Sequence, residues 1–357
     1  MRATKLAALI LLTVACGKEN SNSSSTASST ASGGSVDLTG AGATFPYPLY
    51  SKWFADYAQQ TGVKINYQSI GSGGGIRQLS EQTVDFGASD SPMSDEEMSK
   101  AKGGPVLHVP TVLGAVVVTY NIPGLGAPLN LTANALSDIF SGKITKWTDA
   151  RIGSLNSGAK LPSTDILVVH RSDGSGTTFI FTDYLSKAAP SWNASVGKGK
   201  EVKWPVGLGA KGNEGVAGQV KQTPGAIGYV ELAYAKQNKL SFAAIANKAG
   251  KNVLPSVSAV TAAAAGAAGT LPANTDYRIS IVDGPGADSY PISSFTWILV
   301  YQHQQDAVKG KKIVDFLNWA LTTGESAASQ LDYAPLPAEM ATKVKARLAN
   351  IDIPQPK

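Results

Sequence analysis

The chain has 357 residues, 43% hydrophobic and 16% charged, which is enough apolar material for about two domains with real cores. Its net charge of +5 falls to +3 once Arg2 and Lys5 of a leader are discounted, too little to argue for a nucleic-acid partner. The single cysteine, Cys16, excludes disulfides within the chain and cysteine-based zinc sites.

Residues 1–16 read as an export signal. Arg2 and Lys5 open it, and the apolar run Leu6 to Val14 is too short to span a bilayer. Leu12-Thr13-Val14-Ala15-Cys16-Gly17 resembles a bacterial lipobox, which would make Cys16 the lipidated first residue of the mature chain. Residues 17–35 are nearly all small or polar and read as a flexible tether.

Folded sequence is expected from Val36. Leu49, Trp53, Phe54 and Tyr57 recur at helical spacing up to Gly62. Val63 to Gln68 alternates as a strand, and Gly71 to Leu79 is a glycine-rich turn entering a helix. Thr83 to Asp90 is a short strand with a polar turn, and Ser94-Asp95-Glu96-Glu97 is a capping box. Val106 to Pro110 and Gly114 to Tyr120 read as separate extended runs, and Thr132 to Phe140 and Thr148 to Leu155 as short helices.

The β-branched run Ile166 to Val169 leads through Arg171-Ser172-Asp173-Gly174-Ser175-Gly176-Thr177 into a helix pattern. Gly212 to Ala217 reads as a capped helix start, and Pro224 to Val230 as a turn and strand. Ala262 to Ala268 predicts a weak helix or loose surface segment. Pro291 to Tyr301 is a β run. Ala307 to Leu321 is an amphipathic helix with Val308, Ile313, Phe316, Leu317 and Ala320 on its apolar face, and Pro337 to Leu348 is a terminal helix. This alternation implies α/β layers with largely parallel sheets and ligands at the carboxyl ends of strands.

A strand, a small-residue turn and a helix start make an anion site, because free N–H groups and the positive dipole end face the turn. Arg171 adds a permanently charged fork, and Ser175 and Thr177 add hydroxyls. Turns around Thr44, Ser72 and Asp90 have the same small, hydroxyl-rich character. Enzyme signatures fail: there is no Walker loop, Ser175 lacks the Gly-x-Ser-x-Gly frame, and the three histidines have no metal-ligand spacing. Neighbouring strand residues point to opposite faces, so His170 beside Arg171 is expected to pack rather than to act as a base for Ser175.

Specific stretches carry a family resemblance: Leu38 to Pro46, Asn66 to Ser72, Val84 to Asp90, Arg171 to Thr177, and Pro224 to Glu231. With them the chain resembles the periplasmic phosphate-binding proteins of bacterial ABC phosphate transporters, the PstS type. The resemblance implies a two-lobed periplasmic-binding-protein-like (type II) fold, with a hinge crossed twice and phosphate in the interlobe cleft. Residues 36–113 and 291–357 would form the first lobe, and 114–290 the second.

By the same resemblance the first lobe would supply Thr44, Phe45, Ser72 and Asp90, and the second Arg171, Ser175, Gly176 and Thr177. Phe45 and Gly176 would act through backbone N–H groups, and Asp173 would orient Arg171. Gly73 stands where some members have a second serine. An ionised Asp90 would accept a hydrogen bond from the proton that phosphate carries and leave sulfate facing an unpaired acceptor. The implied partners are inorganic phosphate, the permease and ATPase of an ABC transporter, and a membrane reached through the Cys16 lipid. The chain is expected to be an exported monomer with no cofactor, metal or nucleic acid. The competing expectation is a secreted phosphatase-like hydrolase using Ser175.

Overall fold

The computed structural model describes residues 37–268 and 276–355. The expected signal, the lipobox with Cys16 and the tether lie outside the described residues.

The first strands form a parallel group. β1 (Leu38–Gly42) lies between β2 (Ile65–Ser69) and β3 (Phe86–Ser89). α1 (Tyr47–Thr61) and α2 (Ser72–Ser80) make the crossovers. α1 ends at Gly62, whose φ of 75° lets its N–H reach the Ala58 carbonyl, a backbone state that glycine adopts without strain. Leu49, Trp53, Phe54 and Tyr57 are buried as their spacing predicts. The capping box at Ser94 opens α3 (Asp95–Ser99), with both reciprocal bonds formed.

β4 (Val106–Tyr120) is a single 15-residue strand, buried throughout, where two separate runs were expected. Pro110 does not break it. Pro has no N–H to give the ladder, and the register with β12 (Ser293–Tyr301) shifts there, between Thr296 and Trp297, as a bulge. β4 pairs with β12 over residues 106–115. Over 116–120 it pairs with β8 (Ala226–Glu231). It therefore belongs to both halves of the fold.

The chain continues through β5 (Asn130–Leu131), α4 (Ala133–Phe140) and α5 (Ala150–Leu155). β6 (Leu167–Arg171) then runs into α6 (Gly176–Ala188), followed by α7 (Pro190–Ser195), β7 (Leu208–Ala210) and α8 (Gly212–Gln222). β6, β7 and β8 are parallel, with β6 in the middle. After β8 come α9 (Leu232–Gln237), β9 (Ser241–Phe242), β10 (Ala244–Ala246), β11 (Asn252–Val253) and α10 (Val257–Ala268). β12, α11 (Ala307–Ala320) and α12 (Ala338–Leu348) return to the first group.

The main sheet runs β2-β1-β3-β12-β4-β8-β6-β7, with β9 beside β4. The expectation of largely parallel sheets holds for the two flanks only. At the centre β3–β12, β4–β12 and β4–β8 are antiparallel. The chain leaves the first group along β4 and comes back along β12, so these adjacent strands must run in opposite directions. The alanine-rich stretch lies within α10, which buries Ala263 and Ala264. Val308 is 50% exposed instead of lying on the apolar face. It sits nine residues before Leu317, about half a revolution around the helix.

Candidate functional site

The predicted turns converge where the two strand groups meet. Arg171 is the last residue of β6, and its side chain is 1% exposed. Its Nε and Nη2 donate to Asp173 Oδ1 and Oδ2 at 2.7 and 2.5 Å, so one face of the fork is fixed. Nη1 donates to Thr177 Oγ1 at 3.3 Å. The Arg171 N–H donates to the buried Tyr229 hydroxyl at 3.1 Å, which anchors the strand end. Burial alone would raise the Asp173 pKa, but the hydrogen bonds and charge of Arg171 outweigh it and hold the carboxyl below its usual range.

Ser175 caps α6, its Oγ accepting the Thr178 N–H at 3.0 Å. Gly176 and Thr177 are the first helical residues, so the positive end of α6 faces the same point. α2 begins there too, at Ser72. Ser72 Oγ accepts the Asp90 N–H at 3.2 Å and the Gly176 N–H at 3.1 Å, the latter from the other strand group. The Gly176 N–H thus has a protein acceptor, where the expectation aimed it at a ligand. Gly73 N–H donates to the Gly174 carbonyl at 2.8 Å, a second bond across the same seam. Phe45 lies just before α1; its carbonyl accepts the Tyr333 hydroxyl at 2.7 Å, while its N–H has no acceptor within the described residues.

Asp90 follows β3 and is 1% exposed. Its Oδ1 accepts the Thr296 hydroxyl at 2.8 Å and its Oδ2 the Ser72 hydroxyl at 3.4 Å. Burial pushes its pKa up to about 7, and the Thr296 bond and the Arg171 charge keep it from rising further. The expectation took this carboxyl as ionised, and burial in the fold opposes that form. The sequence gives no sign of so costly a burial, because the β12 partner lies 206 positions away.

Two further residues belong to this constellation and were not foreseen. Thr296 comes from β12, opposite the bulge at Thr111 of β4. Asn213, read as part of a helix cap, makes no cap; the residue before α8, Lys211, caps it without a side-chain bond. Asn213 Nδ2 instead reaches Thr44 Oγ1 at 2.7 Å and Thr177 Oγ1 at 3.0 Å. A buried amide at yet another strand–turn–helix junction was the only local signal. A surface cavity of about 730 Å³ opens beside the seam, with Arg77, Lys200 and Lys211 among its walls, together with Glu97, Asp173 and Glu201.

The histidines are engaged elsewhere. The His170 ring stacks on Trp204 at 4.8 Å, with Nδ1 3.0 Å from the Arg171 carbonyl, so it packs as expected. His108 accepts the Met93 N–H and pairs with Asp276, and His303 pairs with Asp352. Among the described residues no group of acidic, His or Cys side chains is placed to hold a metal, and no helix is long and apolar enough to cross a membrane.

Gly176 shows how tight the seam is. A Cβ there would lie 2.5 Å from Ser72 Oγ and 2.6 Å from Asp90 Oδ2. Gly176→Ala is therefore expected to hold the strand groups apart. Small-angle scattering should record a larger radius of gyration than for the wild type, and an unchanged value would contradict this packing.

Two α/β halves joined by crossing strands, with buried hydroxyls, an arginine and a carboxyl between them, define a two-lobed periplasmic-binding-protein fold. The family model for the PBP superfamily domain matches residues 22–323. The chain is 48% identical to phosphate-binding protein PstS of Pasteurella multocida over 311 residues, covering 87% of this chain and 89% of that one. It is 47% identical to phosphate-binding protein PstS of Xylella fastidiosa (strain Temecula1) over 317 residues, covering 88% and 86%. The chain belongs to the PstS family of phosphate-binding proteins. Its fold superposes on a solved periplasmic phosphate-binding protein, PfluDING, bound with phosphate, at a TM-score of 0.70 and 24% identity, covering 87% of this chain and 93% of that one.

Proposed function

We propose that this protein binds inorganic phosphate between its lobes and delivers it to an ABC-type import permease and its ATPase. It is a binding protein and not an enzyme. Lobe I takes residues 36–113 and 291–357, and lobe II residues 114–290. Thr44, Phe45, Ser72 and Asp90 contact the ligand from lobe I, and Arg171, Ser175, Gly176 and Thr177 from lobe II. Asp173 holds Arg171. The chain works as a monomer on the outer side of the bacterial membrane, held there by lipid on Cys16.

One observation carries this reading. A buried arginine, convergent hydroxyls and helix N-termini surround a buried carboxyl that takes hydrogen bonds from Thr296 and Ser72. Donors gathered this densely offset the cost of burying an oxyanion. A lone acceptor among them suits an oxyanion that still carries a proton. Because both lobes make contacts, ligand favours the closed state over the open one. Titration calorimetry of the purified chain is expected to give one phosphate per chain. No heat and no binding at millimolar phosphate would overturn the reading.

A further inference from the structure

We infer that Asn213 sets the direction of the Thr44 and Thr177 hydroxyls, forcing both to act as donors toward the anion. This rests on the reading above, in which those threonines face phosphate. A hydroxyl has one proton and two lone pairs. Thr44 Oγ1 accepts the Asn213 N–H at 3.2 Å and the Asn213 Nδ2 at 2.7 Å. Both lone pairs are engaged, so its proton must point elsewhere. Thr177 Oγ1 accepts Asn213 Nδ2 at 3.0 Å and Arg171 Nη1 at 3.3 Å, and the same follows.

The amide orientation is fixed independently. Asn213 Oδ1 accepts the Glu231 backbone N–H at 2.8 Å, so the NH2 end faces the threonines. Its two amide protons serve one threonine each. Asn213 is fully buried, so no water competes for these bonds. Thr44 belongs to lobe I and Thr177 to lobe II. One side chain thus imposes the same polarity on a hydroxyl from each lobe, and does so completely only when the lobes meet. Asn213 is a positioning residue: it acts through the threonines. Without its amide, Thr44 keeps only the backbone N–H of residue 213 and Thr177 only Arg171 Nη1, so each hydroxyl is free to turn its other lone pair to the anion, which is repulsive.

The test compares Asn213→Leu, which removes both donors at similar volume, with Asn213→Asp, which keeps the acceptor for Glu231 N–H and reverses the polarity. Phosphate affinity is measured by calorimetry in wild type and in a Thr44→Val/Thr177→Val background, with folding checked by circular dichroism. Asn213→Leu is expected to weaken phosphate about 10- to 100-fold, as loss of well-directed bonds to a charged group implies. Asn213→Asp is expected to weaken it by about a further tenfold or more, since the threonines then donate to the carboxylate. In the double-valine background both substitutions should cost much less, because their effect runs through the hydroxyls. An equal cost in both backgrounds, or binding by Asn213→Asp within about threefold of wild type, overturns the inference while leaving the site intact. If Thr44→Val/Thr177→Val itself binds like wild type, the assigned site falls and the inference with it.

Discussion

Asp90→Asn is expected to make the ligand-free protein more stable and to abolish its preference for phosphate over sulfate. In the folded chain the Asp90 carboxyl is pushed up to about 7 by burial, against an ordinary value of 3.8. Between those pH values the folded protein holds a proton that the unfolded chain has released. Stability therefore falls as pH rises through this window and stays lower above it. The displacement corresponds to something on the order of 4 kcal/mol. Asn carries no such penalty, so the melting temperature of the variant should exceed that of wild type at pH 8, and the two should converge near pH 4. Selectivity follows from the same carboxyl. Phosphate brings its own proton to an ionised Asp90, whereas sulfate needs Asp90 protonated to receive a bond. Sulfate binding to wild type should then take up one proton above pH about 7, and weaken by about tenfold for each further pH unit. In the Asn variant that slope should vanish. A wild-type sulfate affinity that is flat from pH 7 to 9 would count against this role.

The largest loss of affinity is expected from Arg171→Met. Arg171 carries the one full positive charge in the buried constellation, and its fork is held rigid by Asp173. Removing one member of a buried charged pair costs about 2 to 5 kcal/mol or more, and here the anion loses its counter-charge as well. Phosphate binding should weaken by at least about a thousandfold. The free protein should suffer too. Asp173 would keep the Gly212 N–H as a partner but lose the group that holds its pKa down, so it would gain a proton penalty in the fold. Arg171→Met/Asp173→Asn separates the effects. It is expected to regain stability toward wild type, measured by thermal denaturation, without regaining phosphate binding. Recovery of binding in the double variant would show that Arg171 acts only as a partner for Asp173.

Much of this site was legible because its groups lie on short local motifs. Arg171, Asp173, Ser175, Gly176 and Thr177 fall within one turn, and strand–turn–helix chemistry is written in neighbouring residues. The resemblance supplied Thr44, Phe45, Ser72 and Asp90, and the structure gathers all of them at one seam. What was missed depends on long-range pairing. Thr296 reaches Asp90 only because β12 returns antiparallel between β3 and β4, and Asn213 reaches Thr44 from 169 positions away. Periodicity tells which segments extend and which coil; it does not tell which strand lies beside which. The same gap explains the parallel sheet that proved antiparallel at its centre. Val308 is a different case: it is apolar but off the buried stripe, so counting hydrophobic residues misplaced it.

Equilibrium dialysis of labelled phosphate against a large excess of sulfate at pH 8 tests the central claim most directly. The claim is that one ionised acceptor, Asp90, within a cage of donors makes this an oxyanion site for phosphate. Retention of phosphate by wild type against sulfate, with its loss in Asp90→Asn, is the predicted result. Ready displacement of phosphate by sulfate from the wild-type protein would contradict it.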